Sequence, residues 1–200
     1  TLKNVLEIGP GSGQLIKIIE KKFKLKKKKI TLVEPSKTNA KLLLKKGYDV
    51  YNKPFEIFNT KKKYDLIIAN QLFEHLKNPN LSAKKLHKFL DPNGLLLIET
   101  PSYDCIENKI FEKDLWGGLH APRHMYIYNK KSITNVLNRN NFKVLEINNL
   151  LSPYTLFETF KAFLIKKKLT FLIKYVGIYN PVFLLLYCGL DFLQICFTGK

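Results

Sequence analysis

Val5 to Gly13, VLEIGPGSG, is a strand-like run that passes straight into a glycine turn. The apolar residues from Asn4 to Ile8 read as a buried strand, and Gln14 to Lys22 carries a helical pattern. Glycines at 9, 11 and 13 occupy the turn between them. A turn without side chains lets backbone amides come close to a ligand, and the helix that follows favours negative charge at its N-terminus. A dinucleotide-binding turn needs the spacing GxGxxG, but Gln14 stands where the third glycine of that register belongs. The pattern is instead acidic-x-Gly-x-Gly-x-Gly, with Glu7 two residues ahead of Gly9. A carboxylate there suits a cationic ligand end, such as the amino group of an amino acid, better than a pyrophosphate.

From this turn the same alternation continues to about residue 150. Ile30 to Glu34 reads as a second strand, and Ser36 caps a helix that stops at Gly47. Short strands follow at Tyr48 to Tyr51 and Tyr64 to Asn70, then a helix over Leu81 to Leu90 that is ended by Asp91-Pro92-Asn93-Gly94. Leu95 to Glu99 is a fifth strand, Ser132 to Asn140 a helix, and Phe142 to Asn148 a sixth strand. Nearly continuous apolar strands separated by helices predict an α/β fold, a doubly wound and mostly parallel sheet covered on both faces. Glu34 ends the second strand, where an acid can accept hydrogen bonds from two ribose hydroxyls.

With these residues in place the sequence resembles the class I S-adenosylmethionine-dependent methyltransferases. EIGPGSG is similar to their first motif and VEPS (Val33 to Ser36) to their second-strand acidic motif. YDLIIANQLFEHLKNP (Tyr64 to Pro79) resembles the fourth-strand segment of small-molecule members, and LDPNGLLLIETP (Leu90 to Pro101) the block that follows it. WGGLHAPRHMYIY (Trp116 to Tyr128) resembles a variable-loop motif of relatives that act in quinone biosynthesis and on glycan clusters. The family generally begins with helices before the first strand and ends in a β-hairpin. Neither is present here, which reads as a chain lacking those N-terminal helices and the last strand, an excerpt of a longer one.

The resemblance implies that Glu7, Gly9, Pro10, Gly11 and Gly13 hold the methionine part of S-adenosyl-L-methionine, with Glu34 and Pro35 at its ribose. Asn70, Gln71 and Leu72 would line the floor beneath the sulfonium and adenine. Methyl transfer from a sulfonium needs close alignment above all, and a general base only where the acceptor must lose a proton. His75 and His124 are the candidate catalytic bases, and Arg123, His120 and Trp116 the candidate acceptor contacts, with Trp116 alternatively a core residue. Glu74-His75 alternatively caps the next helix or orients a loop. Phe55 is either an adenine neighbour or core, and His87 reads as a surface residue. No metal is expected.

Composition bounds the partners. The 200 residues carry a net charge of +18, yet 32 of the 34 basic side chains are Lys and only Arg123 and Arg139 are Arg. Arg forks that read nucleic acids are therefore scarce, and 17 Asn beside the many Lys point to AT-rich codon use, so nucleic acid is not the expected partner. The seven lysines between Lys21 and Lys29 fall at the amino edge of the sheet, away from the cofactor, and read as a solvated face. Cys105, Cys188 and Cys196 have no CxxC spacing, which favours a reducing, cytoplasmic setting over a disulfide framework.

Residues 151–200 differ from the methyltransferase-like domain at 1–150. They mix apolar and basic residues, and Tyr175 to Leu190 runs without a charge around Asn180-Pro181. Sixteen residues fall short of the ~20 that a spanning helix needs. A helical cap, a dimer contact or a peripheral membrane element are the open readings, and the oligomeric state is not specified. The expected activity is methyl transfer to a small-molecule acceptor, with oxygen as nucleophile on a lipid-linked, quinone-like or glycan precursor. The alternatives are an RNA or protein methyltransferase and a catalytically silent, membrane-associated module. Asn70-Gln71-Leu72-Phe73 lacks the prolines of a base N-methylation tetrad, which counts against that chemistry.

Overall fold

The computed structural model describes residues 2–105, 107–111, 113–150 and 152–198. Its chain forms two units, one of Thr1–Thr100 with Asn135–Lys143 and one of Pro101–Thr134 with Val144–Lys200.

In the first unit five strands, β1 (Val5–Ile8), β2 (Ile30–Val33), β3 (Asp49–Tyr51), β4 (Tyr64–Asn70) and β5 (Leu90–Glu99), form a sheet in the order β3-β2-β1-β4-β5. Every neighbouring pair is parallel. Helices α1 (Gln14–Phe23), α2 (Lys37–Lys45) and α3 (Pro79–Phe89) make the crossovers. All residues of β1 and β2 are buried, as a sheet covered on both faces requires. Ile16 of α1 and Leu43 of α2 join Val5, Ile30, Leu32 and Ile68 in one core cluster. The doubly wound parallel fold expected from the alternation of strands and helices is present. Because the strands are parallel, each strand-to-helix turn lies at the carboxyl edge, and the strand order reverses between β1 and β4. Ligands of such sheets bind in the crevice at that reversal.

Several local signals hold. Ser36 caps α2, its hydroxyl accepting from Asn39 N–H, and Gly47 follows with φ +86°. Two expectations change. α3 runs directly into β5 at Leu90, and the Asp-Pro-Asn-Gly segment is extruded from the ladder: Tyr64 pairs with Leu90 but Leu66 with Leu95. Pro92 has no N–H to give to a ladder, so pairing resumes only after Gly94.

The sixth strand expected at Phe142 to Asn148 is absent; these residues carry no strand pairing. The apolar alternation is there, but a strand also needs a neighbour for its N–H and C=O groups. Without one, Leu145 remains 70% exposed.

The second unit holds α4 (Glu107–Ile110), α6 (Pro153–Lys166) and α7 (Pro181–Thr198), and α5 (Lys130–Asn138) starts in it. Asn129 and Ser132 cap α5 reciprocally, each side chain accepting the other's backbone N–H. α6 and α7 both open on proline, where the missing N–H costs nothing. They pack together, Asp191 of α7 accepting Ser152 N–H at 2.6 Å ahead of α6. Among the described residues no helix is long and apolar enough to cross a membrane. Cys196 lies in α7, and its side chain is outside the described residues.

Gly13 has φ +80°, and a Cβ there would stand 2.5 Å from Leu43 Cδ2. Gly13→Ala therefore combines left-handed strain with displacement of a core leucine, and should lower unfolding stability by about 2–4 kcal/mol in urea titrations. At Gly11 an added Cβ meets nothing within 4 Å, so Gly11→Ala should cost only about 1 kcal/mol of strain.

Candidate functional site

The β1–α1 turn is built by left-handed glycines: φ is +70° at Gly9, +56° at Gly11 and +80° at Gly13. Side chains rarely tolerate such angles, which is why the turn is bare. Gly9 N–H donates to Val33 C=O at 2.8 Å, and Gly13 N–H to Pro10 C=O at 2.8 Å. Pro10 is buried, so it seats the turn while Gly9 and Gly11 stay open above it.

Glu34, at the tip of β2, is buried with both oxygens engaged. Oε2 accepts Gly11 N–H at 2.9 Å and Oε1 accepts Ser36 N–H at 2.8 Å. The residue thus ties the glycine turn to the start of α2. Each carboxylate oxygen keeps a further lone pair for a hydroxyl donor. Asn52 accompanies it, its Nδ2 donating to the carbonyls of Glu34 and Pro35. Pro35 itself is exposed.

Glu7 shares the face of β1 that bears Val5, since side chains two apart in a strand point the same way. It is 2% exposed, and its Oε2 has no hydrogen-bond partner among the described residues. Burial without a counter-charge pushes its carboxyl up to about 7. An unpaired buried carboxylate beneath an open glycine turn is the donor set that a ligand ammonium would complete. The residues present therefore fit the amino-acid end of S-adenosyl-L-methionine, on the geometry of Glu7, Gly9 and Gly11.

Beyond the strand reversal, Asn70 ends β4 with a buried Oδ1 that lacks a partner among the described residues. Gln71 takes φ +48°, its N–H donating to Glu99 C=O at 2.8 Å, and Leu72 is half-buried. Glu74 is 1% exposed and accepts Thr100 Oγ1–H at 2.8 Å through Oε2, while Oε1 has no partner among the described residues. Next to it, half-buried His75 lies in the short 3₁₀ turn Phe73–His75 at the same edge. The pair does not cap α3; Asn78 does, accepting Leu81 N–H at 3.0 Å.

The remaining candidates lie in the second unit. Trp116 is buried, its Nε1–H without a partner among the described residues, and Tyr103 meets its ring edge-on. His120 and Arg123 are exposed, and His120 stacks on His124 at 5.3 Å. His124 is half-buried with Nδ1 2.7 Å from Gly118 O. Phe55 is a core aromatic, 3% exposed with Lys85 Nζ over its ring, so it is not an open stacking surface. His87 lies on the exposed face of α3 as expected. From the sequence Glu74 reads only as capping the next helix or orienting a loop, and its sole signal is adjacency to His75.

A family model for a methyltransferase domain matches residues 1–147. Among curated proteins, a malonyl-[acyl-carrier protein] O-methyltransferase of Priestia megaterium is 36% identical over 100 residues, 48% of this chain and 36% of that protein. An (S)-tetrahydroprotoberberine N-methyltransferase of Eschscholzia californica is 28% identical over 131 residues, 60% of this chain and 37% of that protein. The chain thus spans little more than a third of the length of these relatives. Among solved structures, coclaurine N-methyltransferase, bound to N-methylheliamine and SAH, has a TM-score of 0.61 at 20% identity. That match covers 82% of this chain and 50% of the other, and the likeness is one of fold.

Glu7 also makes stability depend on pH. Its folded pKa lies above the unfolded value of 4.5, so the folded state holds the proton more firmly. Ionisation then costs the fold progressively as pH rises from about 4.5 to about 7, up to about 3 kcal/mol. Glu7→Gln should gain stability relative to the wild type across that window; equal pH profiles in urea unfolding of the two proteins would contradict the assignment.

Proposed function

The chain belongs to the methyltransferase domain family, and we propose that it binds S-adenosyl-L-methionine at the carboxyl edge of its sheet and transfers the methyl group to a small-molecule acceptor. The observation that carries this reading is the unpaired, buried carboxylate of Glu7 beneath the open turn of Gly9 and Gly11. When bound, S-adenosyl-L-methionine supplies a methyl group on a sulfonium, whose departure leaves a neutral thioether.

In this reading Glu7 accepts hydrogen bonds from the ligand's ammonium, which restores to the carboxylate the counter-charge that burial denies it. Gly9 to Gly13 shape the close approach, and Glu34 receives ribose hydroxyls on its remaining lone pairs while holding the turn in place. Asn70, Gln71 and Leu72 form the floor. Holding acceptor and methyl in line is worth several kcal/mol by itself, so positioning supplies much of the rate. An acceptor hydroxyl must also lose its proton, and His75 takes it, with Glu74 and Thr100 fixing the loop on which His75 stands. Exposed His120 and Arg123 and half-buried His124 are the acceptor contacts of this reading, whereas Trp116, 3% exposed, takes the core role. The finer reading is an oxygen nucleophile on a lipid-linked, quinone-like or glycan precursor. The relatives methylate both oxygen and nitrogen by their names, so a panel of acceptors is required.

Calorimetry with S-adenosylhomocysteine tests the site. Because the ligand's ammonium pairs with ionised Glu7, affinity should be level above about pH 7 and fall toward about tenfold per unit below it. Glu7→Gln should flatten that profile, and Gly11→Val and Glu34→Ala should weaken binding. Unaltered affinity in all three variants would remove the site. With a hydroxyl acceptor, His75→Ala should lower kcat by about 10²–10⁴-fold without altering S-adenosylhomocysteine affinity.

A further inference from the structure

The topology of the first unit gathers lysines at one edge of its sheet. Each helix-to-strand connection of a parallel sheet lies at the amino edge, and here nearly every one is basic. The last turn of α1 and its connection to β2 carry the seven lysines from Lys21 to Lys29, all exposed. Lys45 ends α2, and Lys61 to Lys63 precede β4. A cleft of about 310 Å³ is lined by Lys84, His87, Lys88, Arg139, Asn140 and Asn141, a set of donors with no carboxylate.

Four acids share this edge, and three are already engaged. Glu20 accepts Tyr48 O–H, Asp65 accepts the N–H groups of Lys3 and Asn4, and Asp49 lies against Thr31 Oγ1. The fourth, Asp91, stands at the start of β5. At the opposite, carboxyl edge the charges are mixed: Glu7, Glu34, Glu74 and Glu99 share it with Lys37, Lys53 and Lys77, and Lys46 Nζ donates to Ser12 C=O in the glycine turn. Codon bias accounts for how many lysines the chain has, but it would scatter them over both edges. Their placement is therefore a separate observation.

We propose that the amino edge of this sheet docks on an anionic phospholipid surface. Lysine point charges suit a diffuse layer of headgroup phosphates, each adding about fivefold to the affinity. Phe23 stands 44% exposed between Lys22 and Lys24, placed to enter the headgroup layer among them. The cleft between Lys84, Lys88 and Arg139 admits one phosphate-bearing headgroup. Nucleic acid fits less well. Single-strand surfaces stack bases on rows of exposed aromatics, whereas Tyr48, Tyr64 and Phe89 at this edge are all buried.

The test is sedimentation of the whole chain with vesicles of phosphatidylcholine alone or with ~30% phosphatidylserine, at ~0.15 M salt. The protein should partition onto the phosphatidylserine vesicles and not onto phosphatidylcholine. A quadruple variant, Lys21→Gln, Lys22→Gln, Lys26→Gln and Lys28→Gln, should lose about a hundredfold or more. A control of equal net charge, Lys17→Gln, Lys41→Gln, Lys131→Gln and Lys167→Gln, should lose less than about tenfold. Phe23→Ser should weaken partition severalfold without changing its salt dependence. Equal losses in the two quadruple variants would reduce the face to general basicity. Retention of single-stranded polyuridine with no vesicle binding would overturn the lipid assignment in favour of RNA.

Discussion

The two oxygens of Glu34 each receive one backbone N–H, from Gly11 and from Ser36, and the carboxyl edge of the sheet is organised around that bridge. β1 and β2 are neighbours, so the turns that leave them meet at one edge, and a single carboxylate at the tip of β2 can hold both. Gly9 N–H adds a second tie, to Val33 C=O. Ser36 at once donates to Glu34 and accepts from Asn39 as the cap of α2. The entry of α1 and of α2 is thereby set by one side chain, and with it the placement of Ile16 and Leu43 in the core. Gly13 completes the arrangement, because only a residue without Cβ lets α1 start against Leu43.

Glu7 is the opposite case, a carboxylate that the fold buries with its Oε2 lacking a partner among the described residues. The same burial that raises its pKa to about 7 makes a cationic ligand valuable to it, since the ammonium would repay a desolvation cost the protein alone bears. A buried carboxylate with a strongly raised pKa in a crevice marks a candidate binding group, and Glu34 beside it differs in already holding the turn through both oxygens. Glu74 sits between the two: Thr100 satisfies one of its oxygens and nothing described satisfies the other.

Charge is distributed by topology. A net +18 spread at random would say little about a partner, but parallel strands sort every connection to one edge or the other. Glu7 and Glu34 fall at one edge, and the long lysine run falls at the other. The lysine run and the glycine turn are thus separated by the length of a strand.

Local pattern carried much of this protein. Strand and helix periods, the cap at Ser36, the stop at Gly47 and the glycine spacing after Glu7 are short-range properties, each imposed by residues within a few positions of one another. They were sufficient for the parallel α/β fold and for the placement of Glu7, Glu34 and the glycine turn at one edge. The sixth strand was not legible as false, because Phe142 to Asn148 has the alternation of a strand and lacks only a neighbour to bond with. Phe55 and Glu74 behave likewise: whether an aromatic is a stacking surface or core, and whether an acid is solvated or sealed, depends on what other segments cover it. Glu34's grip on Gly11 spans 23 positions. Hydrogen-bond partners and burial are set by residues distant in the chain, and those contacts come into being only when the sheet assembles.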